Sequence, residues 1–236
     1  MASLLLTAFW LTRKGVPMSS EQATALRRQM VDTQLRARDI VDEKVIAAMG
    51  RVPRHEFVLQ SMRERAYDDR ALPIQQDQTI SQPYIVALMT QLAEPKKKSR
   101  ALDIGTGSGY QAAILAEIVD RVYSIEIVKP LADGARQRLE KLGYDNVTVR
   151  HGDGYQGWQE HAPFDVIIVA AAPDHVPPAL IKQLAPGGKL VIPVGHRTKQ
   201  DLLIIEKRVD GTVHRRKVAA VLFVPMTGDA LPTEQK

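Results

Sequence analysis

A glycine loop and three acids are the residues whose types and spacing promise chemistry. Gly105, Gly107 and Gly109 stand in "LDIGTGSGY", where a short apolar run gives way to a helical pattern. Glycine lets backbone come close to a ligand, and a helix starting there offers N–H groups and partial positive charge. A dinucleotide fingerprint would need its third glycine where Tyr110 stands, so a pyrophosphate is disfavoured. Glu126 follows Gly105 by 21 residues, at the end of the next apolar run. From there a carboxylate can accept both hydroxyls of a ribose. Asp103 is expected near the amino-acid end of such a ligand, and Asp153 in "HGDG" is placed to accept from an adenine amino group. Each acid alone reads equally well as a surface cap. All three together point to a nucleoside cofactor without phosphate, with S-adenosylmethionine the obvious candidate.

The acceptor side is marked by what is missing. The run "FDVIIVAAAP" ends in alanines, without the Asp/Asn-Pro-Pro-Tyr group of enzymes that methylate exocyclic base nitrogens. No histidine or carboxylate pair stands out as a general base. A carboxylate acceptor, with a reference pKa of about 4, is already ionised at neutral pH and needs none. It needs alignment and partial desolvation. Upstream, "QTISQPYIV" carries Ser81 two residues before Pro83, where a helical pattern begins. Read alone, Ser81 is first a helix cap. A hydroxyl there can equally donate to an incoming carboxylate.

The elements that must hold these residues follow from periodicity. Residues 21–38 have a helical pattern with Leu26, Met30, Val31 and Leu35 on one face, and Asp42 caps a second helix. Residues 21–98 read as a helical, loop-rich region bearing the Ser81 loop. Residues 99–236 read as the cofactor-binding α/β core with C-terminal strands, the two parts forming one domain. In that core short apolar strands ("RALDIG", "RVYSIE", "NVTVRHG", "FDVIIVAAA", "KLVIPVG") alternate with helices, one of them spanning "PPALIKQLAPGG". Such alternation predicts a doubly wound, Rossmann-like, mostly parallel sheet, with "DLLIIEKR" and "VAAVLFVP" as an edge strand pair.

Bulk properties exclude several classes. The 236 residues are 44% hydrophobic and 25% charged, the balance of a globular protein. Cysteine is absent, which removes thiolate catalysis and thiolate zinc sites and suits a reducing cytoplasm. The six histidines have no metal-ligand spacing, so no metal is expected. The net charge of +5 is scattered, and its tightest cluster, "KKKSR", reads as a solvated turn rather than a nucleic-acid patch. The apolar stretch at 3–11 is about half a membrane span and lacks the flanks of a signal peptide. Residues 1–20 are expected to form a flexible extension, and Met18 is a candidate second start.

Taken together, "MVDTQLRARDI", "VPRHEFV", "ALPIQQDQTISQPYIVALMTQL", "LDIGTGSGYQAAILA", "HGDGYQGW", "LAPGGKLVIPVG" and "FVPM" resemble the protein-L-isoaspartate (D-aspartate) O-methyltransferase family, in family order from about residue 26 to 228. The "TISQP" and "GDGYQGW" stretches are far more specific than the glycine loop. The resemblance implies methylation of the α-carboxylate of isoaspartyl residues by S-adenosylmethionine, giving an ester that collapses to a succinimide and so starts repair. It implies Ser81 as the active-site residue, with Thr79, Ile80, Pro193 and Val194 at the substrate. It implies cofactor contacts from Asp103, Gly105, Thr106, Gly107, Ser108, Gly109, Glu126, Gly152, Asp153 and Gly154. Damaged proteins and peptides are the expected partners of a cytoplasmic monomer, with neither nucleic acid nor membrane involved. One departure stands out: the family's approach to the serine reads "PIGQGQTIS", and here Gln75 and Asp77 replace the glycines. Methyl transfer to a small molecule or RNA, and cofactor binding without turnover, are the rival readings.

Overall fold

The computed structural model describes residues 18–228. The apolar stretch at 3–11 lies outside them. Helix α1 (Ser20–Met30) starts where the Ser19 hydroxyl accepts from the Gln22 N–H, and it runs on through a wider π turn to Arg36. Helix α2 (Glu43–Arg51) starts likewise on the Asp42 carboxylate, as expected of a side-chain cap. After two 3₁₀ turns come the two-residue strands β1 (Leu72–Pro73) and β2 (Thr79–Ile80), paired antiparallel, and then helix α3 (Pro83–Ala93).

The remaining strands and helices alternate up to the fifth strand and again from the sixth to the seventh. They are β3 (Arg100–Ile104), α4 (Tyr110–Ala116), β4 (Arg121–Glu126), α5 (Lys129–Lys141), β5 (Val147–His151), β6 (Phe164–Val169), α6 (Pro178–Gln183), β7 (Leu184–His196), β8 (Lys199–Lys207) and β9 (Val213–Val221). They build one sheet in the order β5-β4-β3-β6-β7-β8-β9, parallel through β7 and antiparallel at β8 and β9. The doubly wound expectation and the edge pair hold, but the second edge strand is Val213–Val221 and not 218–225, because residues 213–217, which lack an apolar pattern, also pair with β8.

Strand periodicity explains why the central strands are apolar throughout. On β6, Val166 and Ile168 face a core shared with α1 to α5, while Ile167 and Val169 face a second core with Leu180, Trp158 and Met226. A strand covered on both faces has no solvent side on which to place polar residues.

One expected helix is shorter. The pattern over 177–188 gives a helix only to Gln183, and the chain then enters β7. Pro186 has no N–H for a helix, Gly187 takes a φ of +80°, and a Cβ on Gly188 would lie 3.0 Å from the Phe164 carbonyl oxygen. The segment bulges against β6, so Phe164 pairs with Leu184 but Val166 with Lys189.

Candidate active site

The sheet order reverses between β3 and β6, and a cavity of about 430 Å³ opens at their carboxyl ends. That volume falls in the small-molecule range of ~300–1,000 Å³, and a topological switch point is where open α/β sheets bind ligands. One wall is the β3–α4 loop with Gly105, Thr106, Gly107 and Ser108, and the β4 end contributes Glu126. Gly154 and the alanines after β6, Ala170 and Ala171, form the floor. The loop from Asp77 to Ser81 and Val224 to Thr227 of the C-terminal segment complete the lining.

Glu126 is 6% exposed and binds the loop with both oxygens, accepting from Gly107 N–H at 2.8 Å and Val128 N–H at 2.9 Å. Each oxygen keeps a further lone pair for a ligand hydroxyl. The N–H groups of Gly105 and Thr106 both bond the Ile125 carbonyl. Three successive loop amides are therefore already occupied, against the expectation of free N–H donors, and this loop is no phosphate cradle. Glycine is required at Gly105, Gly107 and Gly109 by their φ of +86°, +52° and +90°. It is required at Gly154 by space, since a Cβ there would run into Ile104 Cγ2.

Asp103 stands behind the loop rather than on the cavity wall. It is 0% exposed, and Oδ2 accepts from the Ser124 hydroxyl at 2.7 Å, which in turn lies 2.6 Å from Thr106 Oγ1. Its Oδ1 is buried without a partner. Burial pushes its pKa up to about 7; the Ser124 hydrogen bond opposes the shift and the nearby Glu126 charge adds to it. Asp153 caps a 3₁₀ turn, accepting from Tyr155 N–H at 2.8 Å. It and Gly152 flank the cavity without lining it, as does Gly109, which packs on Leu139. Pro193 and Val194 lie within β7, opposite Leu202 and Asp201 of β8, and are not on the cavity wall.

Thr79, Ile80 and Ser81 do face the cavity. Ser81 does not cap α3. The N-cap is Gln82, no side chain caps that end, and Pro83 supplies the first turn. The cap reading of Ser81 therefore falls. Its backbone carbonyl accepts from Arg54 Nη2 at 2.7 Å. The replaced glycines differ in consequence. Gln76 and Asp77 have φ of 59° and 54° in a tight turn closed by Gln78 N–H on Gln75 O, whereas Gln75 does not adopt a positive φ. Only the second glycine of the family pattern was conformationally required.

Sequence reasoning missed Ser124, Arg54 and Arg197. Ser124 showed only as a small polar residue in an apolar strand. Arg54 sat in "VPRHEFV" with nothing to mark it. Arg197, on the turn between β7 and β8, brings a guanidinium to the rim of the cavity.

The free lone pairs of Glu126 and the space kept open at Gly154 fit a nucleoside, and Asp103 supports the glycine loop from behind. Fold and site together define the S-adenosylmethionine-dependent methyltransferase class. The model of protein-L-isoaspartate(D-aspartate) O-methyltransferases matches residues 25–231, and the chain belongs to that family. It is 56% identical over 209 residues to protein-L-isoaspartate O-methyltransferase 2 of a Polaromonas species, covering 88% of this chain and 98% of the relative. It is 57% identical over 203 residues to the Opitutus terrae enzyme, covering 85% and 86%. Among solved structures, a protein-L-isoaspartate O-methyltransferase superposes with a TM-score of 0.80 at 28% identity, over 86% of this chain and 67% of the other. A Plasmodium falciparum relative solved with S-adenosyl-L-homocysteine gives 0.73 at 28% identity, over 87% and 98%.

Proposed function

We infer that this chain transfers the methyl group of S-adenosylmethionine to the free α-carboxylate of L-isoaspartyl residues in damaged proteins and peptides. The observation that carries the reading is that Ser81 and Glu126 line one and the same cavity at the switch point. S-adenosylmethionine supplies an electrophilic methyl on a sulfonium. The Glu126 carboxylate holds the ribose hydroxyls, and Asp103 fixes the loop through Ser124 and Thr106. Ser81 donates to one oxygen of the acceptor carboxylate and orients it, while Arg197 at the rim attracts the anion. The carboxylate oxygen attacks the methyl carbon as the carbon–sulfur bond breaks, and no proton needs to be removed. The ester carbonyl, unlike the carboxylate, is electrophilic and carries methoxide as a leaving group. The neighbouring amide nitrogen therefore attacks it, loses its proton and expels methanol, closing a succinimide whose hydrolysis returns some normal aspartate.

Residues 21–236 are proposed to act as one domain and as a monomer, in the cytoplasm and without nucleic acid. The absence of cysteine supports the compartment and the scattered basic residues support the lack of nucleic acid; no helix among the described residues is long and apolar enough to cross a membrane. The test is a paired assay. Labelled methyl should enter an isoaspartyl peptide as a base-labile ester and leave the matching aspartyl peptide unlabelled. In the same assay Ser81→Ala should lower turnover while S-adenosylhomocysteine binds within a few-fold of wild type. Equal labelling of both peptides, or of neither, defeats the reading.

A further inference from the structure

Arg54 is fully buried, yet it has no carboxylate partner among the described residues. A guanidinium is costly to bury, and without an acid to neutralise it the cost must be met by hydrogen bonds and ring contacts. Nε donates to the Ala66 carbonyl at 2.7 Å, and Nη2 donates to the Ser81 carbonyl at 2.7 Å. The guanidinium carbon also lies 4.8 Å from the centre of the Tyr110 ring, within the range of a cation–π contact. Tyr110 is the first residue of α4, directly after the glycine loop, and both Tyr110 and Ser81 line the cavity.

One side chain therefore touches both halves of the site. We propose that Arg54 is a positioning residue that ties the acceptor loop, at the Ser81 peptide, to the donor side, at Tyr110, and so sets the distance between attacking oxygen and methyl carbon. The inference rests on the methyl-transfer reading above. It adds to that reading a residue that touches neither donor nor acceptor and acts through the Ser81 backbone. Transfer between two bound groups depends on their alignment, and a displacement of about 1 Å can cost on the order of 100-fold in rate. The unpaired positive charge has a second effect: it biases the loop towards receiving an anion.

Arg54→Lys keeps the charge but cannot reach both carbonyls and the ring together. In the full chain it should lower kcat for an isoaspartyl peptide by roughly 10- to 100-fold. Peptide KM and the calorimetric Kd for S-adenosylhomocysteine should stay within about threefold, the margin that separates alignment from binding. Arg54→Met, where it folds, should be slower than Arg54→Lys because the charge is lost too. Unchanged kcat in Arg54→Lys overturns the proposal. So does a loss of S-adenosylhomocysteine affinity in step with kcat, which marks general disruption of the cavity. Full turnover in Ser81→Ala would remove the serine's hydroxyl from the mechanism without touching this inference, because Arg54 holds the Ser81 peptide and not its side chain.

Discussion

Glu126 is bound from two sides at once. Its oxygens hold the Gly107 and Val128 amides, so the orientation of the carboxylate is set before the ribose hydroxyls proposed to bind it arrive. Glu126→Ala removes those bonds and loosens the glycine loop. S-adenosylhomocysteine affinity measured by calorimetry should fall by about 1.5–3 kcal/mol, roughly 10- to 150-fold. Asp103 behaves differently because it is sealed from water. Its carboxyl titrates at about 7 in the folded protein and at about 4 when unfolded. Between those values the folded state keeps a proton that the unfolded state has lost. Asp103 therefore makes the protein less stable as pH rises from ~4 to ~7, and the penalty is complete above that. Asparagine cannot ionise, so Asp103→Asn should gain stability relative to wild type across this window. Thermal melts at several pH values check it: a Tm difference that stays constant from pH 4.5 to 8 rules out Asp103 as the source.

The turn joining β1 to β2 shows how an element can constrain a residue that the chemistry does not need. Two successive left-handed residues, Gln76 and Asp77, are the central pair of the tight turn closed between Gln75 and Gln78, where glycine or asparagine is the usual occupant. Aspartate tolerates that region better than most residues, and a β-branched side chain tolerates it worst. Asp77→Val should therefore cost about 1–2 kcal/mol of stability, read from a denaturant midpoint. Asp77→Gly should leave stability within roughly 0.5 kcal/mol, since relief of strain offsets the added freedom of the unfolded chain. Its effect should appear in peptide KM, which falls because a negative charge leaves the cavity wall. An unchanged KM would place the Asp77 carboxylate away from the acceptor's path. The same scale explains the shortened helix α6. The 177–188 pattern is helical in its apolar spacing, but the β6 carbonyls pack so closely on Gly188 that the strand takes over after Gln183.

At the scale of the molecule, the cavity exists because the sheet winds both ways from β3 and β6 and leaves their carboxyl ends uncovered. The loop from Asp77 to Ser81 with Val86 and Met89 of α3, and Val224 to Thr227 of the C-terminal segment, complete its lining. Met226 N–H donates to the Ala172 carbonyl at 2.9 Å, and this fixes the wall formed by Val224 to Thr227. A ligand that spans these walls binds only the folded chain. At about 100 times its Kd, S-adenosylhomocysteine should add about 2.7 kcal/mol of stability, raising the Tm by roughly 5–10 °C for a chain of this size. Scanning calorimetry reads the shift directly, and its absence would mean that the cofactor does not bind in the cavity.

Local spacing was enough to predict the sheet class and to single out the glycine loop and Glu126, which line the cavity, because strand and helix periods and glycine's freedom are written in neighbouring residues. The resemblance to the family marked Asp77 and Gln75 as replaced glycines but could not separate the two, since φ is settled by the hairpin and not by the residue. Only the tertiary structure decided that Asp103 supports the loop from behind, that Ser81 is not a helix cap, and that three loop amides are already bonded. It alone brought Arg54 to the Ser81 peptide, 27 residues away in sequence. Hydrogen-bond partners and burial depend on which distant segments pack together, and no short-range pattern carries that information.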